Sequence, residues 1–408
     1  MTPYLPLSSV AKVVMGQSPP SASFNDQGDG PPFFQGKADF NSLYPTIRKY
    51  STAGTRLAEA DDILLSVRAP VGPTNLAPTQ CVLGRGLAGI RALPGVDQRY
   101  LLWAIRATAD SLAAQGTGST FSAVTGVKVR AHSVPIVGDE VEQRRIVEII
   151  EDHLSRLEAG VGYIDKNLMR ASLMRRAAWE QRFASGSKLV PMASLVEKTE
   201  AGKSVGGAAP AARPGRWGII KVSAMTWGEF RPQENKEIPD VLVDERFRIR
   251  LGDLLVSRAN TSELVGASVL VQVPPERLLL SDKSVRVVPR SEVLAEWLWR
   301  ALSAPSTRKQ MSAKATGTKD SMRNISQQAL LHIMVPDPSE RDQAADIQWA
   351  RELDIGVTRL QDQLGAQRGR ASSLRRAVLA AAFSGRLTGA ASDGDLIEET
   401  AETLEGER

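Results

Sequence analysis

Arg170-Ala171-Ser172-Leu173-Met174-Arg175-Arg176-Ala177 returns as Arg370-Ala371-Ser372-Ser373-Leu374-Arg375-Arg376-Ala377, with six of eight residues identical at an offset of 200. Gln143 and Gln343, and Phe183 and Phe383, keep the same offset. Upstream, Asp62-Ile63-Leu64-Leu65-Ser66-Val67-Arg68-Ala69 resembles Asp253-Leu254-Leu255-Val256-Ser257-Arg258-Ala259. Gly116-Thr117 and Val134-Pro135 return as Gly317-Thr318 and Val335-Pro336 at an offset of 201. Solenoids repeat every 20 to 50 residues or so. This period is domain-sized, so the chain reads as two copies of one module, a pseudo-twofold internal repeat.

Each module has two parts. The first is rich in Pro and Gly, with short apolar runs such as Ile63–Val67, Cys81–Leu83, Leu254–Ser257 and Ala267–Val273. Runs of that length between turn residues read as strands, and Arg99–Leu112 reads as a helix. The second part changes period. Ile150, Leu154, Leu157, Val161, Ile164, Leu168 and Ala171 alternate steps of three and four. In the second copy Ala350, Leu353, Val357, Leu360, Leu364, Gln367, Ala371, Leu374, Val378 and Ala381 do the same, Gln367 being the polar intrusion. That is a coiled-coil seam. Each helix covers about 40 residues and spans on the order of 60 Å, too long to rest on one small globule. The two seams match in length, and a whole globule joins one helix to the next, so an antiparallel pair is expected; homodimerisation through one helix is the alternative. The expected fold is mixed α/β (α+β): two globular domains separated by two long antiparallel coiled-coil helices. The boundaries are 1–139 and 189–338 for the globules, 140–188 and 339–387 for the helices, and 388–408 for an acidic, disordered tail.

Composition narrows the function. The 408 residues are 42% apolar with a single cysteine, Cys81, which forbids an internal disulfide and a cysteine-based zinc site. No apolar run approaches membrane-spanning length, and no secretory pattern opens the chain, so a cytoplasmic location and no membrane partner are expected. The net charge is +5, but the segment from Asp393 to Arg408 holds seven acids against one arginine. The rest therefore carries +11, a basic body that suits a polyanion.

Glu142-Gln143-Arg144-Arg145-Ile146-Val147, and Ser373-Leu374-Arg375-Arg376-Ala377 followed by Ala382-Phe383-Ser384-Gly385-Arg386-Leu387, together with the alternation of globules and helices, resemble the specificity subunits of Type I restriction–modification systems. The resemblance reaches almost to the acidic tail. The second helix departs from it: Arg341-Asp342-Gln343-Ala344-Ala345-Asp346 replaces the Glu-Gln-Arg-Arg-Ile-Val form. The resemblance implies that 1–139 and 189–338 are target-recognition domains, each reading one half of a bipartite, asymmetric site in double-stranded DNA. It implies that the helices set the spacer and dock two methyltransferase subunits and the restriction subunits. S-adenosylmethionine, ATP and Mg then belong to those partners, with no cofactor bound by this chain. A subunit serving a fused methyltransferase–nuclease, and a coiled-coil adaptor without sequence preference, are the alternatives.

No catalytic or metal constellation is legible. Gly30-Pro31-Pro32-Phe33 has glycine where an adenine methyltransferase loop needs a side chain that accepts from the base. Glu200-Ala201-Gly202-Lys203-Ser204 ends like a phosphate-binding loop, but Glu197 occupies the position of its first glycine. Ile238-Pro239-Asp240 and Asp244-Glu245-Arg246 imitate a nuclease carboxylate set poorly, and His132 and His332 lack acidic partners. DNA contacts need basic, hydroxyl and amide side chains on loops. The candidates are Gln17, Ser18, Lys37, Arg68, Thr117 and Ser119 in the first module, and Lys203, Ser204, Lys221, Arg258, Lys319, Arg323 and Asn324 in the second. Arg68 and Arg258 are matched as the arginine after a strand, and each candidate has a plain surface charge or polar group as its alternative. Arg144, Arg145, Arg175, Arg176, Arg375 and Arg376 lie on helices and are candidates for docking other subunits, or for pairing along their own helix.

Overall fold

The computed structural model describes residues 2–116, 123–185, 188–226, 228–320, 322–387, 389 and 392–406. Contacts divide the chain into two units, Met1–Asp165 with Gly365–Arg408, and Lys166–Leu364. The chain is a mixed α+β protein with two long helices. None of its described helices is long and apolar enough to cross a membrane.

In the first unit a four-stranded antiparallel sheet runs in the order Ala11–Met15, Leu87–Ala92, Ile63–Ser66, Thr74–Leu76. Every residue of Ile63–Ser66 is buried, so both faces of that strand must be covered. Successive side chains alternate. Ile63 and Leu65 enter a core with the helix Gln98–Ala107, while Leu64 enters a second cluster with Phe34, Cys81 and Leu83. Asp97 caps that helix by accepting from the Arg99 and Tyr100 amides. The second unit has a sheet of the same neighbour order, Val196–Ala201, Ser284–Pro289, Leu254–Ser257, Ser268–Leu270. Leu254 and Val256 face Trp297 and Leu298, and Leu255 faces Ile220 and Met225.

The repeated residues have repeated work. Asp62 and Asp253 each accept, at 2.8 Å, the amide three residues before them, closing the turn into the central strand. Val134-Pro135 and Val335-Pro336 lie in short strands, Ser133–Pro135 and Met334–Pro336, that pair with Tyr4–Pro6 and Leu189–Pro191. Gln143 accepts from the Asp97 amide and donates to the Val137 carbonyl; Gln343 accepts from the Leu294 amide and donates to the Glu292 carbonyl. Each glutamine ties the start of a long helix to the start of a globule helix. Phe183 and Phe383 close the other ends. Phe183 packs against Trp297 in the second unit, and Phe383 against Tyr100 in the first.

The long helices are Glu140–Phe183 and Gln343–Phe383. In the first unit Arg375 meets Glu158 at 3.0 Å and Arg368 meets Asp165 at 3.4 Å. In the second, Gln361 donates to Ser172 at 3.0 Å and Arg182 meets Asp346 at 2.6 Å. One number rises as its partner falls, so within each unit the paired segments run antiparallel. Ile150, Leu154 and Ala171 of the first stripe are buried, but Leu360 of the second is 44% exposed.

The expectation of disorder for 388–408 is corrected over Asp393–Gly406. Asp393–Gly406 is a helix with Ile397 and Ala401 buried, an ion pair from Glu398 to Arg370, and Arg386 donating to Thr400 at 3.2 Å. Ile397, Ala401 and Leu404 recur at helical spacing, so an apolar face packs, while Asp395, Glu399, Glu402 and Glu405 are exposed. Average acidity conceals that periodicity.

Acid should separate the two units. In the second, Asp337 is held down to about 2 by Lys188 and Ser339, and Lys198 and Arg286 hold Glu200 below the usual carboxylate range. Burial pushes Glu296 up, but donation from Arg351 and Arg300 more than offsets this and leaves it depressed. In the first unit Asp39 moves the other way, burial outweighing Arg48 and Lys49. A depressed carboxyl stabilises the fold above its unfolded pKa of about 4, and that contribution is lost as pH falls through the folded value. Hydrogen exchange between about pH 4 and pH 2 should therefore show Leu254–Ser257 losing protection before Ile63–Ser66; the reverse order would contradict this.

Candidate nucleic-acid interface

The central strand of each unit leads into a segment that meets the chain again after the Gly-Thr loop. In the first unit the Val67 amide donates to Gly86 at 2.9 Å, the Val67 carbonyl accepts from Val124 at 3.0 Å, and Arg68 bridges Ala123. In the second, the Arg258 amide donates to Lys283 at 2.9 Å and its carbonyl accepts from Ile325 at 2.8 Å. There Ala259–Asn260 pairs antiparallel with Arg323–Asn324, Ala259 opposite Asn324 and Asn260 opposite Arg323. Arg258 thus occupies the place of Val67, and Arg68 that of Ala259. This corrects the matching of Arg68 with Arg258. They are one residue apart, and successive strand residues point to opposite faces.

Arg258, Asn260 and Arg323 therefore share one face of the ribbon, and all three are half-buried. Arg258 Nε, Asn260 Nδ2, Arg323 Nε and, at the strand end, Ser257 Oγ are buried without a hydrogen-bond partner among the described residues. All four are donors, and a buried donor left unpaired costs about 1–3 kcal/mol. Arg323 is otherwise committed: its guanidinium donates to the Gly317 carbonyl at 2.9 Å and the Ala315 carbonyl at 2.6 Å, bracing the loop. Gly317 has a φ of +135°, and a Cβ there would stand 2.5 Å from the Met322 carbonyl, so the turn requires glycine. Asn260 escaped the sequence reading, although its place two residues beyond Arg258 put it on the same strand face.

The other candidates are dispersed. Gln17 is exposed with its amide on Leu83, and Ser18 is half-buried. Lys37 and Lys221 are exposed, each following a short strand, Phe33–Phe34 and Gly218–Ile220, that pairs parallel with another. Lys203 is paired with Asp244 at 2.9 Å and sits over the Phe247 ring, so part of its charge is spent; Asp244 is pulled far below the usual carboxylate range by Arg246 and Lys203. Ser204 and Lys319 are exposed. Thr117 and Ser119 lie outside the described residues.

Lys37, Arg106, Arg375 and Arg376 line one groove of about 940 Å³ in the first unit, with Asp110 and Glu158 as its acids. Burial, with Arg375 close by, pushes Arg106 down to about 10, while its side chain donates to Thr74 and Ser42. The helix arginines have partners within the chain: Arg144 pairs with Glu140, Arg175 lies over Trp179, Arg375 meets Glu158, and Arg376 donates to Ser373. Arg145 and Arg176 are on exposed helix faces.

A basic body, loop-borne donors and helices that anchor each globule are the features to set beside known proteins. Residues 4–161 match the family model described as Type I restriction modification DNA specificity domain. It is similar to the putative type I restriction enzyme MjaX specificity subunit of Methanocaldococcus jannaschii, 39% identical over 138 residues, 34% of this chain and 32% of that protein. It is also similar to the type I restriction enzyme EcoEI specificity subunit of Escherichia coli, 34% identical over 116 residues, 28% of this chain and 20% of that protein. The matches thus span a third or less of either relative. Among solved structures, the HsdS subunit from Thermoanaerobacter tengcongensis is 40% identical over 36% of this chain and 35% of its own, with a TM-score of 0.33.

Proposed function

We propose that the chain is the DNA-specificity subunit of a cytoplasmic Type I restriction–modification complex. The globules 1–139 and 189–338 each read one half of a bipartite, asymmetric site, and the helical regions 140–188 and 339–387 form a coiled-coil pair that sets the spacer. The observation that carries this reading is the paired anchoring of the long helices, Gln143 and Gln343 at their starts, Phe183 and Phe383 at their ends. Helices fastened to globules at both ends suit a ruler, as half-site spacing in DNA-binding dimers is set by geometry. Exposed helix arginines, Arg145 and Arg176 among them, suit docking of two methyltransferase subunits and of restriction subunits. S-adenosylmethionine, ATP and Mg would be bound by those partners, so this chain supplies recognition and no chemistry.

The test exchanges one reader. With an adenine methyltransferase subunit the chain should direct methylation to one split sequence; alone it should transfer no methyl groups. Replacing 1–139 by an unrelated recognition domain should change one half-site in the methylome and leave the other intact. A change in both halves, or in neither, would refute the modular reading.

A further inference from the structure

We infer that Arg68 and Asn324 are the base-reading side chains of the two units, Arg68 selecting a guanine in one half-site and Asn324 an adenine in the other. The inference deepens the proposed function and rests on it.

The geometry places the two at one position. The bridge Arg68–Ala123 and the pair Ala259–Asn324 are the same step of the same ribbon, fixed by the matched hydrogen bonds of Val67 with Val124 and of Arg258 with Ile325. Directly opposed residues of an antiparallel pair project from the same face. The neighbours identify that face as the outer one: Val67 is 2% exposed, Val124 5% and Ile325 1%, all turned into the core. Arg68 and Asn324 therefore point away from it, and both are exposed. Neither side chain has a hydrogen bond or ion pair to another described residue, in contrast to Arg323, Arg375 or Lys203. Each stands opposite an alanine, Ala123 or Ala259, which leaves room for a base edge to approach. The large polar residue has changed strands between the units while keeping its place on the ribbon.

A two-stranded ribbon fits the major groove, where arginine donates twice to guanine O6 and N7, and asparagine pairs with adenine N6 and N7. The same scaffold position thus carries the two side chains that distinguish G·C from A·T. That difference makes the two half-sites unlike at equivalent positions.

The experiment is adenine methylation of host DNA by the full chain with its methyltransferase subunit, read by single-molecule sequencing. Arg68→Ala should relax one G·C position of one half-site, discrimination there falling on the order of 10- to 100-fold, with the other half unchanged. Asn324→Ala should relax one A·T position of the other half. Arg68→Lys should retain the guanine preference, because lysine also donates to O6 and N7. Melting of each variant checks that the exposed substitutions leave the fold intact. An unchanged motif, relaxation in the wrong half, or a uniform loss of methylation without relaxation would overturn the inference while the wild-type motif upholds the proposed function. If the wild-type complex yields no split motif, the proposed function fails and the inference falls with it.

Discussion

Asp346→Ala should destabilise the second unit by about 3–5 kcal/mol, because it strands two cations around a buried site. The carboxylate side chain is 4% exposed and holds Arg182 at 2.6 Å and Arg341 at 3.0 Å. Its Oδ2 also accepts from the fully buried indole of Trp297 at 3.0 Å. Removing it leaves the Trp297 N–H and both guanidinium groups without their shared acceptor at once. Urea unfolding followed by tryptophan fluorescence measures the loss. Asp346→Asn keeps an acceptor for one donor and should cost less. The contrast is Glu158→Ala: its partner Arg375 is exposed, and surface pairs contribute about 0–1 kcal/mol. Equal effects from Asp346→Ala and Glu158→Ala would show that burial of the Asp346 network contributes nothing.

Phe383→Ala should cost the first unit a comparable amount, about 3–5 kcal/mol, through lost burial and the cavity it leaves. Phe383 is 5% exposed, its ring meets Tyr100 edge-on at 5.4 Å, and its carbonyl accepts from Thr2 at 2.7 Å. Tyr100 is itself fixed, donating to the Pro135 carbonyl at 3.1 Å and accepting from the Val137 amide at 3.2 Å. The substitution removes the wedge that seats the end of the second long helix on the first globule. Hydrogen exchange should show residues 365–383 losing protection together with Gln98–Ala107. A loss below about 1 kcal/mol, with protection intact, would mean that the helix end is held by its other contacts.

The 200-residue offsets could be read directly because they record identical local tasks. A glutamine that holds a helix start, a phenylalanine that fills a core and an aspartate that closes a turn are each constrained by their nearest neighbours. Heptad steps and strand-length apolar runs were legible for the same reason, since backbone periodicity dictates which positions meet the core. Ribbon register was not. Arg68 and Arg258 look alike as the first charge after a strand, and only the hydrogen bonds to Gly86, Val124, Lys283 and Ile325 place them one residue apart and on opposite faces. Likewise the tail's acidity is a sum over all faces of a helix, whereas packing depends on the one face carrying Ile397 and Ala401. A mixed α+β chain with two long helices could be read from the residues alone, because period is a property of the chain. Which polar side chains point outward and stay unengaged was decided by tertiary structure alone, because facing and partnership depend on residues up to hundreds of positions away.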